Sequence, residues 1–136
     1  NIIYGFDIGL TQTRFENEFV HIIGNGRLEY TRLKGEFGTG TKVDLIDDLS
    51  NVIIVSYTIV IFGDVNGDGS VDSIDAGAIV DYENYLVSWD PSVDVALFKA
   101  GDLNGDGCID SIDAGIAVDA ENYLVTIDQT TGLATV

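Results

Sequence analysis

The sequence predicts an α+β chain in two parts: a small β-rich module over residues 1–62 and an all-α module over residues 63–136 made of two loop–helix repeats. Three observations carry the expectation. A twelve-residue acidic stretch occurs twice, DVNGDGSVDSID at Asp64–Asp75 and DLNGDGCIDSID at Asp102–Asp113, and over the 24 positions starting at Asp64 and Asp102 the copies are identical at 18. Behind each stretch apolar residues recur at helical spacing, Ile74, Ala78, Tyr82 and Tyr85 in the first copy and Ile112, Ile116, Ala120 and Tyr123 in the second, so one helix leaves each loop. Ahead of both, residues 51–62 are rich in Val and Ile and alternate around Ser56 and Thr58, as a half-buried strand does.

Taken in order, residues 2–8 are apolar and aromatic around Gly5 and read as a short strand. Thr13 followed three residues later by Glu16 is a capping-box pattern, and Phe15, Phe19 and Ile22 share one helical face, which predicts a helix over 13–21. His21 closes it as a partly exposed residue. Gly24-Asn25-Gly26 makes a turn, residues 27–34 alternate as a second strand, and residues 35–40 turn again. Residues 42–46 and 51–62 then form a hairpin. Strand, helix and three strands suggest a compact α+β sheet, with an all-β sandwich as the alternative. No Pro-, Ser- or Gly-rich linker separates Phe62 from Gly63, so the two parts are expected to pack as a rigid dyad. Between the copies, residues 89–100 form a connector in which Pro91 starts a short helix ending near Lys99. No comparable helix is expected to enter either loop.

The composition narrows the function. The net charge of −17 is concentrated in one half: residues 1–63 hold eight acids and five bases, whereas residues 64–136 hold fifteen acids and one base. So acidic a chain repels phosphate backbones, which excludes nucleic acid as a partner. The apolar fraction of 46% suffices for a core. No apolar run reaches the roughly 18 residues that span a bilayer. Lone Cys108 can form no internal disulfide and reads as a tolerated small hydrophobe. The start at Asn1 reads as a segment of a longer protein, so the missing signal peptide leaves the compartment open.

The two loops carry the chemistry. Calcium is a hard cation that takes about six to eight oxygens at roughly 2.3–2.6 Å, gathered by a loop that curls around the ion. Each copy offers oxygen-bearing side chains at loop positions 1, 3, 5, 9 and 12 and a glycine at the sharp turn, position 6. In the first copy Asp64, Asn66, Asp68 and Asp75 are candidate side-chain ligands, Ser70 a candidate carbonyl ligand, and Asp72 a water-mediated one. Asp102, Asn104, Asp106, Cys108, Asp110 and Asp113 repeat the set. Asp stands at position 12 where Glu is usual, a shorter arm that must come closer to the ion. Val71 and Ile109 at position 8 point inward, where they can couple the loops. Two Ca²⁺ ions would bring the second half from −14 to −10, so without calcium that half should be loose.

Duplicated loop-plus-exit-helix units, each ending its loop in Ser-Ile-Asp (Ser73–Asp75 and Ser111–Asp113), resemble a dockerin over residues 63–124. Dockerins are calcium-dependent modules by which secreted polysaccharide-degrading enzymes and scaffold proteins plug into cohesins. The resemblance implies two Ca²⁺ ions, a cohesin module of a scaffoldin as partner, an extracellular or cell-surface location, and a monomer when unbound. The segment before it, including Gly38-Thr39-Gly40-Thr41-Lys42-Val43, resembles the small X-modules that precede some dockerins. Carried over by position, the cohesin-contacting pairs are Ser73-Ile74 and Ser111-Ile112, and the helix contacts are Val80-Asp81 and Val118-Asp119. Many dockerins place basic residues at the latter positions, so this surface suits a partner offering apolar and basic groups. Because both copies carry the same candidates, two binding orientations about 180° apart are expected. Other roles stand open: Ser73 and Ser111 as helix caps, Ile74 and Ile112 as core. Tyr85 and Tyr123 are assigned to the core.

Three rival functions compete with this reading. One His, one Cys and carboxylates committed to metal leave no nucleophile–base constellation, so an enzyme is not expected. A calcium sensor needs a groove between entering and leaving helices, usually lined by the methionine this chain lacks. A cell-wall or carbohydrate-binding module with structural calcium sites is the alternative, since Tyr4, Phe6, Phe15, Phe19, Tyr30 and Phe37 could stack on sugars, although their spacing suits a core.

Overall fold

The computed structural model describes residues 1–32 and 35–136. Its first 62 residues form β1 (Ile2–Ile3), α1 (Gln12–Phe19), β2 (Gly26–Thr31), β3 (Lys42–Asp47) and β4 (Ile53–Ile59). The sheet order is β1-β4-β3-β2, antiparallel except where β1 runs parallel to β4. Strand alternation and register put Leu28, Leu45 and Val55 in one row and Tyr30, Val43 and Tyr57 in the next, while Glu29, Asp44 and Ser56 occupy the opposite face. Phe15 from α1 packs into this apolar side with Phe6, Phe37 and Tyr30, the rings meeting mostly edge-on at 5.6–6.4 Å.

The expected order of elements is present, with shifted bounds. The first strand is two residues rather than seven, because the chain swings away through Gly5 and Gly9, both in the left-handed region. The first helix is capped by Thr11, whose hydroxyl accepts from Arg14 N–H at 3.2 Å, and not by Thr13. It ends at Phe19, so His21 lies beyond it. The second strand stops at Thr31, and residues 33 and 34 of the expected 27–34 run lie outside the described residues.

The chain leaving β4 serves two cores. Alternation sends Ile59 and Ile61 into the first core and Val60 and Phe62 into a second. The absence of a linker therefore has a direct packing consequence. The second core is enclosed by α2 (Ser73–Glu83), α3 (Val95–Gly101) and α4 (Ser111–Glu121), with α2 packed on α4. Ile79, Ala100, Leu103 and Ala117 have no exposed surface.

Two expectations fail in this half. It is not all-α: β5 (Thr126–Ile127) and β6 (Ala134–Thr135) make a hairpin that buries Ile127. Its turn closes on Asp128, whose backbone N–H donates to Leu133 O and whose backbone O accepts from Gly132 N–H. The Gln129 amide then clasps the backbone of Phe62, accepting from its N–H at 2.8 Å and donating to its C=O at 2.9 Å. A helix also enters the second loop. Pro91 sits in a turn on Asp90, and α3 starts only at Val95 and runs straight into Asp102 because Ala96, Ala100 and Gly101 are buried there. Tyr82 stacks on Trp89 at 4.7 Å and meets Phe98 edge-on at 5.6 Å, which ties this connector to α2. Among the described residues no helix is long and apolar enough to cross a membrane.

Candidate functional site

Each acidic loop is wound by its own backbone. Asp64 Oδ1 accepts from the N–H groups of Gly67 and Asp68 at 2.8 and 3.2 Å, and Oδ2 from Gly69 at 2.9 Å. Asp102 does the same with Gly105, Asp106 and Gly107. Gly67, Gly69, Gly105 and Gly107 all take left-handed backbone that a side chain would strain, so the Asn-Gly-Asp-Gly string permits the curl. Asn66 and Asn104 each accept from the N–H of the aspartate two residues on, and each donates an amide hydrogen to that aspartate's Oδ2 at 3.2 Å. Ser70 and Cys108 donate their backbone N–H to Asp68 Oδ1 and Asp106 Oδ1 at 2.9 Å, and the thiol of Cys108 is free and exposed.

The closing aspartate fastens each loop to its helix. Asp75 Oδ1 accepts from Val65 and Asn66 N–H while Oδ2 accepts from Asp72 N–H at 3.0 Å. Asp72 in turn caps α2, its Oδ1 accepting from Ile74 N–H at 2.9 Å. At α4 Asp113 Oδ1 accepts from Leu103 N–H at 2.7 Å and Oδ2 from Asp110 N–H at 3.0 Å, and Asp110 caps the helix through Ile112 N–H. The short Asp arm at position 12 thus completes a capping box, and its charge also favours the positive end of the helix. Asp72 and Asp110, not Ser73 and Ser111, are the caps. Both serines lie one residue inside the helix, exposed.

One carboxylate oxygen from each of Asp64, Asp68 and Asp75 lies within 4.8 Å of the other two, and Asp102, Asp106 and Asp113 converge likewise. Asp64, Asp75 and Asp113 have 0% exposure, and among the described residues no Lys or Arg lies within ion-pair distance of them. Buried charge of this kind is stable only when paired, neutralised or bound to a metal. Burial pushes the Asp75 carboxyl up to about 7 despite its hydrogen bonds, and raises Asp64 and Asp113 in the same direction. An all-oxygen set of converging carboxylates that resists ionising alone fits a hard divalent cation such as Ca²⁺.

The two copies differ in surroundings. Around the first, residues 61–65 and Gly67 and Gly69 are buried, whereas residues 104–108 of the second are exposed. The cover comes from the N-terminal half. Thr39 N–H donates to Asp64 Oδ2 at 2.9 Å and Gly9 N–H to Gly69 O at 2.8 Å. These residues were missed in the sequence because nothing local links position 39 to position 64. Val71 and Ile109 both pack into or against the second core.

The candidate partner residues gather on the α2–α4 face. Val80, Asp81, Val118 and Asp119 line a groove of about 490 Å³, whose remaining lining is Ala76, Gly77, Ala114 and Gly115. Ile74 and Ile112 are 64% and 59% exposed, which removes the core reading for them. Tyr85 and Tyr123 are 93% and 95% exposed, so their assignment to the core was wrong. Each helix ends two residues before its tyrosine, which sits in left-handed backbone with φ near +60°. The inward stripe is Asp75, Ala76 and Ile79, and in α4 Asp113, Ala114 and Ala117.

Acidic loops capped onto a packed helix pair define a small, EF-hand-like cation-binding domain. Within that class, residues 62–116 match the family model of the dockerin type I domain, so the chain carries a dockerin type I domain. Dockerin domains bind calcium and are non-catalytic interaction modules. No curated protein and no solved structure matches the chain.

Proposed function

We propose that residues 63–136 act as a two-calcium dockerin that binds a cohesin of a scaffoldin, and that residues 1–62 are an X-module-like support for it. In this reading the two loops each hold one Ca²⁺, through the ligand sets named above, and the chain is an anchoring module of a secreted or cell-surface protein of a cellulosome-type complex. The observation that carries it is the groove. The same four positions of each copy line one apolar trough, flanked by exposed Ser73-Ile74 and Ser111-Ile112. Gly77 and Gly115 sit inside their helices with open space where a Cβ would point, and helix-interior glycine costs stability with no packing return among the described residues.

Supporting two binding orientations, the candidate contacts are the same residue types in both copies. Isothermal titration against a panel of cohesins, with calcium and with chelator, tests both claims. Binding should require calcium, survive changes at Ser73/Ile74 alone or at Ser111/Ile112 alone, and vanish when both pairs are changed. Loss of binding from one pair alone would defeat the two-orientation reading.

The carbohydrate-binding alternative rests on a cleft of about 500 Å³ beside α1, lined in part by half-exposed Tyr4, Phe19 and Tyr57. Phe6, Phe15 and Phe37 are buried in the core instead. A pull-down on insoluble polysaccharide, run beside one on cohesins, separates the readings.

A further inference from the structure

Two loops identical at every candidate side-chain ligand should hold calcium alike if the loop alone decided the matter. Their surroundings differ. Asp64 Oδ2 takes a hydrogen bond from Thr39 N–H that has no counterpart at Asp102 among the described residues. Thr39 is itself fully buried and fixed, its Oγ1 accepting from Ile61 N–H at 2.9 Å and donating to Ile61 O at 3.1 Å. The neighbouring Gly38 comes so near the loop that a Cβ there would stand 2.5 Å from both Asp64 Oδ2 and Gly69 N, and a Cβ on Gly69 would stand 2.8 Å from Phe37 O. Gly9 N–H closes the far side onto Gly69 O. Side-chain-free backbone is thus required on both sides of this seam.

We propose that Gly38, Thr39 and Gly9 are working parts of the first calcium cage, so that the N-terminal half locks the first ion in place while the second ion exchanges directly with solvent. This rests on the reading that both loops hold calcium. Thr39 N–H orients the Asp64 carboxylate before an ion arrives, and the Gly38 turn together with Gly9 covers the Asp64 and Gly69 side of the loop, while Asp68 stays partly exposed and Ser70 exposed. With the seam holding the Asp64 side of the cage closed, release from the first loop is slower than from the second. Losing that ion leaves the Asp64, Asp68 and Asp75 carboxylates mutually repelling beneath the seam, which loosens the seat of the N-terminal half. The positioning residues for the first site therefore lie 25 or more residues before the loop they serve.

The test uses the full calcium-loaded chain mixed with a fluorescent chelator in a stopped-flow instrument. Two ions per chain should be released in two equal phases, the slow one at least about tenfold slower, since one hydrogen bond to a charged group is worth about that factor. Asp106→Ala should remove the fast phase and keep the slow one. Gly38→Ala should bring the slow phase to within a few-fold of the fast one. Hydrogen exchange on the unaltered chain guards against misfolding of that variant: the Thr39 and Gly9 amides should lose about tenfold protection in chelator while the paired amides of β3 and β4 keep theirs. Two ions leaving in one phase, with Thr39 and Gly9 exchange indifferent to chelator, would overturn the cage while leaving the calcium reading intact. Release of no calcium would overturn both.

Discussion

Replacing Asp75 with Asn separates a metal ligand from a helix cap, because the two roles demand opposite results in calcium and in chelator. The buried Asp75 carboxyl titrates at about 7 rather than 3.8, so ionising it in the metal-free fold near pH 7.5 costs on the order of 4 kcal/mol. Asn carries no such cost. It keeps one acceptor for Val65 and Asn66 N–H but points an amide at Asp72 N–H, losing about 1–3 kcal/mol. The metal-free variant should therefore be at least as stable as the parent. In calcium the sign reverses. At about 1,000 times the dissociation constant a bound ion stabilises by about 4 kcal/mol, and a hundredfold weaker site keeps only about 1.4 kcal/mol of that. Urea unfolding followed by circular dichroism, at pH 7.5 in calcium at about 1,000 times the dissociation constant measured by titration and again in chelator, reads both numbers. Equal destabilisation in the two buffers would show that Asp75 is only a cap and would refute the ligand assignment.

Three further outcomes are expected. Asp64, Asp75 and Asp113 all hold their protons to higher pH in the metal-free fold than in the unfolded chain, so the chelated protein should lose stability as pH rises from about 4 toward about 7, while the stabilisation added by calcium grows over the same interval; melting temperatures at several pH values with and without chelator would show either trend reversed if this is wrong. Gln129→Ala strips two hydrogen bonds from the buried backbone of Phe62 and should cost about 2–4 kcal/mol in both buffers, with a loss under about 0.5 kcal/mol counting against the clasp. Gly77→Ala with Gly115→Ala should raise stability by about 0.5–1 kcal/mol per site, since each Cβ enters open space, yet weaken cohesin binding at least tenfold; melting and titration on the same preparation give both readouts, and unchanged affinity would remove the groove from the interface.

Much of the fold was legible where the signal was local. The β3–β4 hairpin followed from alternation, and α2 and α4 from the apolar residues behind each loop. The buried face of those helices was not legible. The segment SIDAGAIVDYE carries apolar groups on nearly every side, so spacing alone put Tyr85 inward and left Ile74 open between contact and core, when packing chose Ala76 and Ile79. A capping role stood open for Ser73 and Ser111 because Asp72 and Ser73 are adjacent and both residue types cap well; the aspartate caps since its neighbour three residues on completes the box. The terminal hairpin is too short for periodicity to register and is held by the burial of Ile127 and by Gln129 reaching across the chain; a short connector helix was signalled by Pro91, but its start at Val95 and its run up to Asp102 were decided by the burial of Ala96, Ala100 and Gly101.

The candidate ligands of each acidic loop all lie within twelve consecutive residues, because curling a short backbone around a cation needs only glycines at the tight points and oxygens at fixed intervals. That information is contiguous and survives duplication unchanged. How far a given loop is covered by the rest of the chain is not contiguous information. It depends on a turn at Gly38-Thr39 arriving from another part of the chain, close enough that only glycine fits, and so two nearly identical strings of residues lie in unequal surroundings.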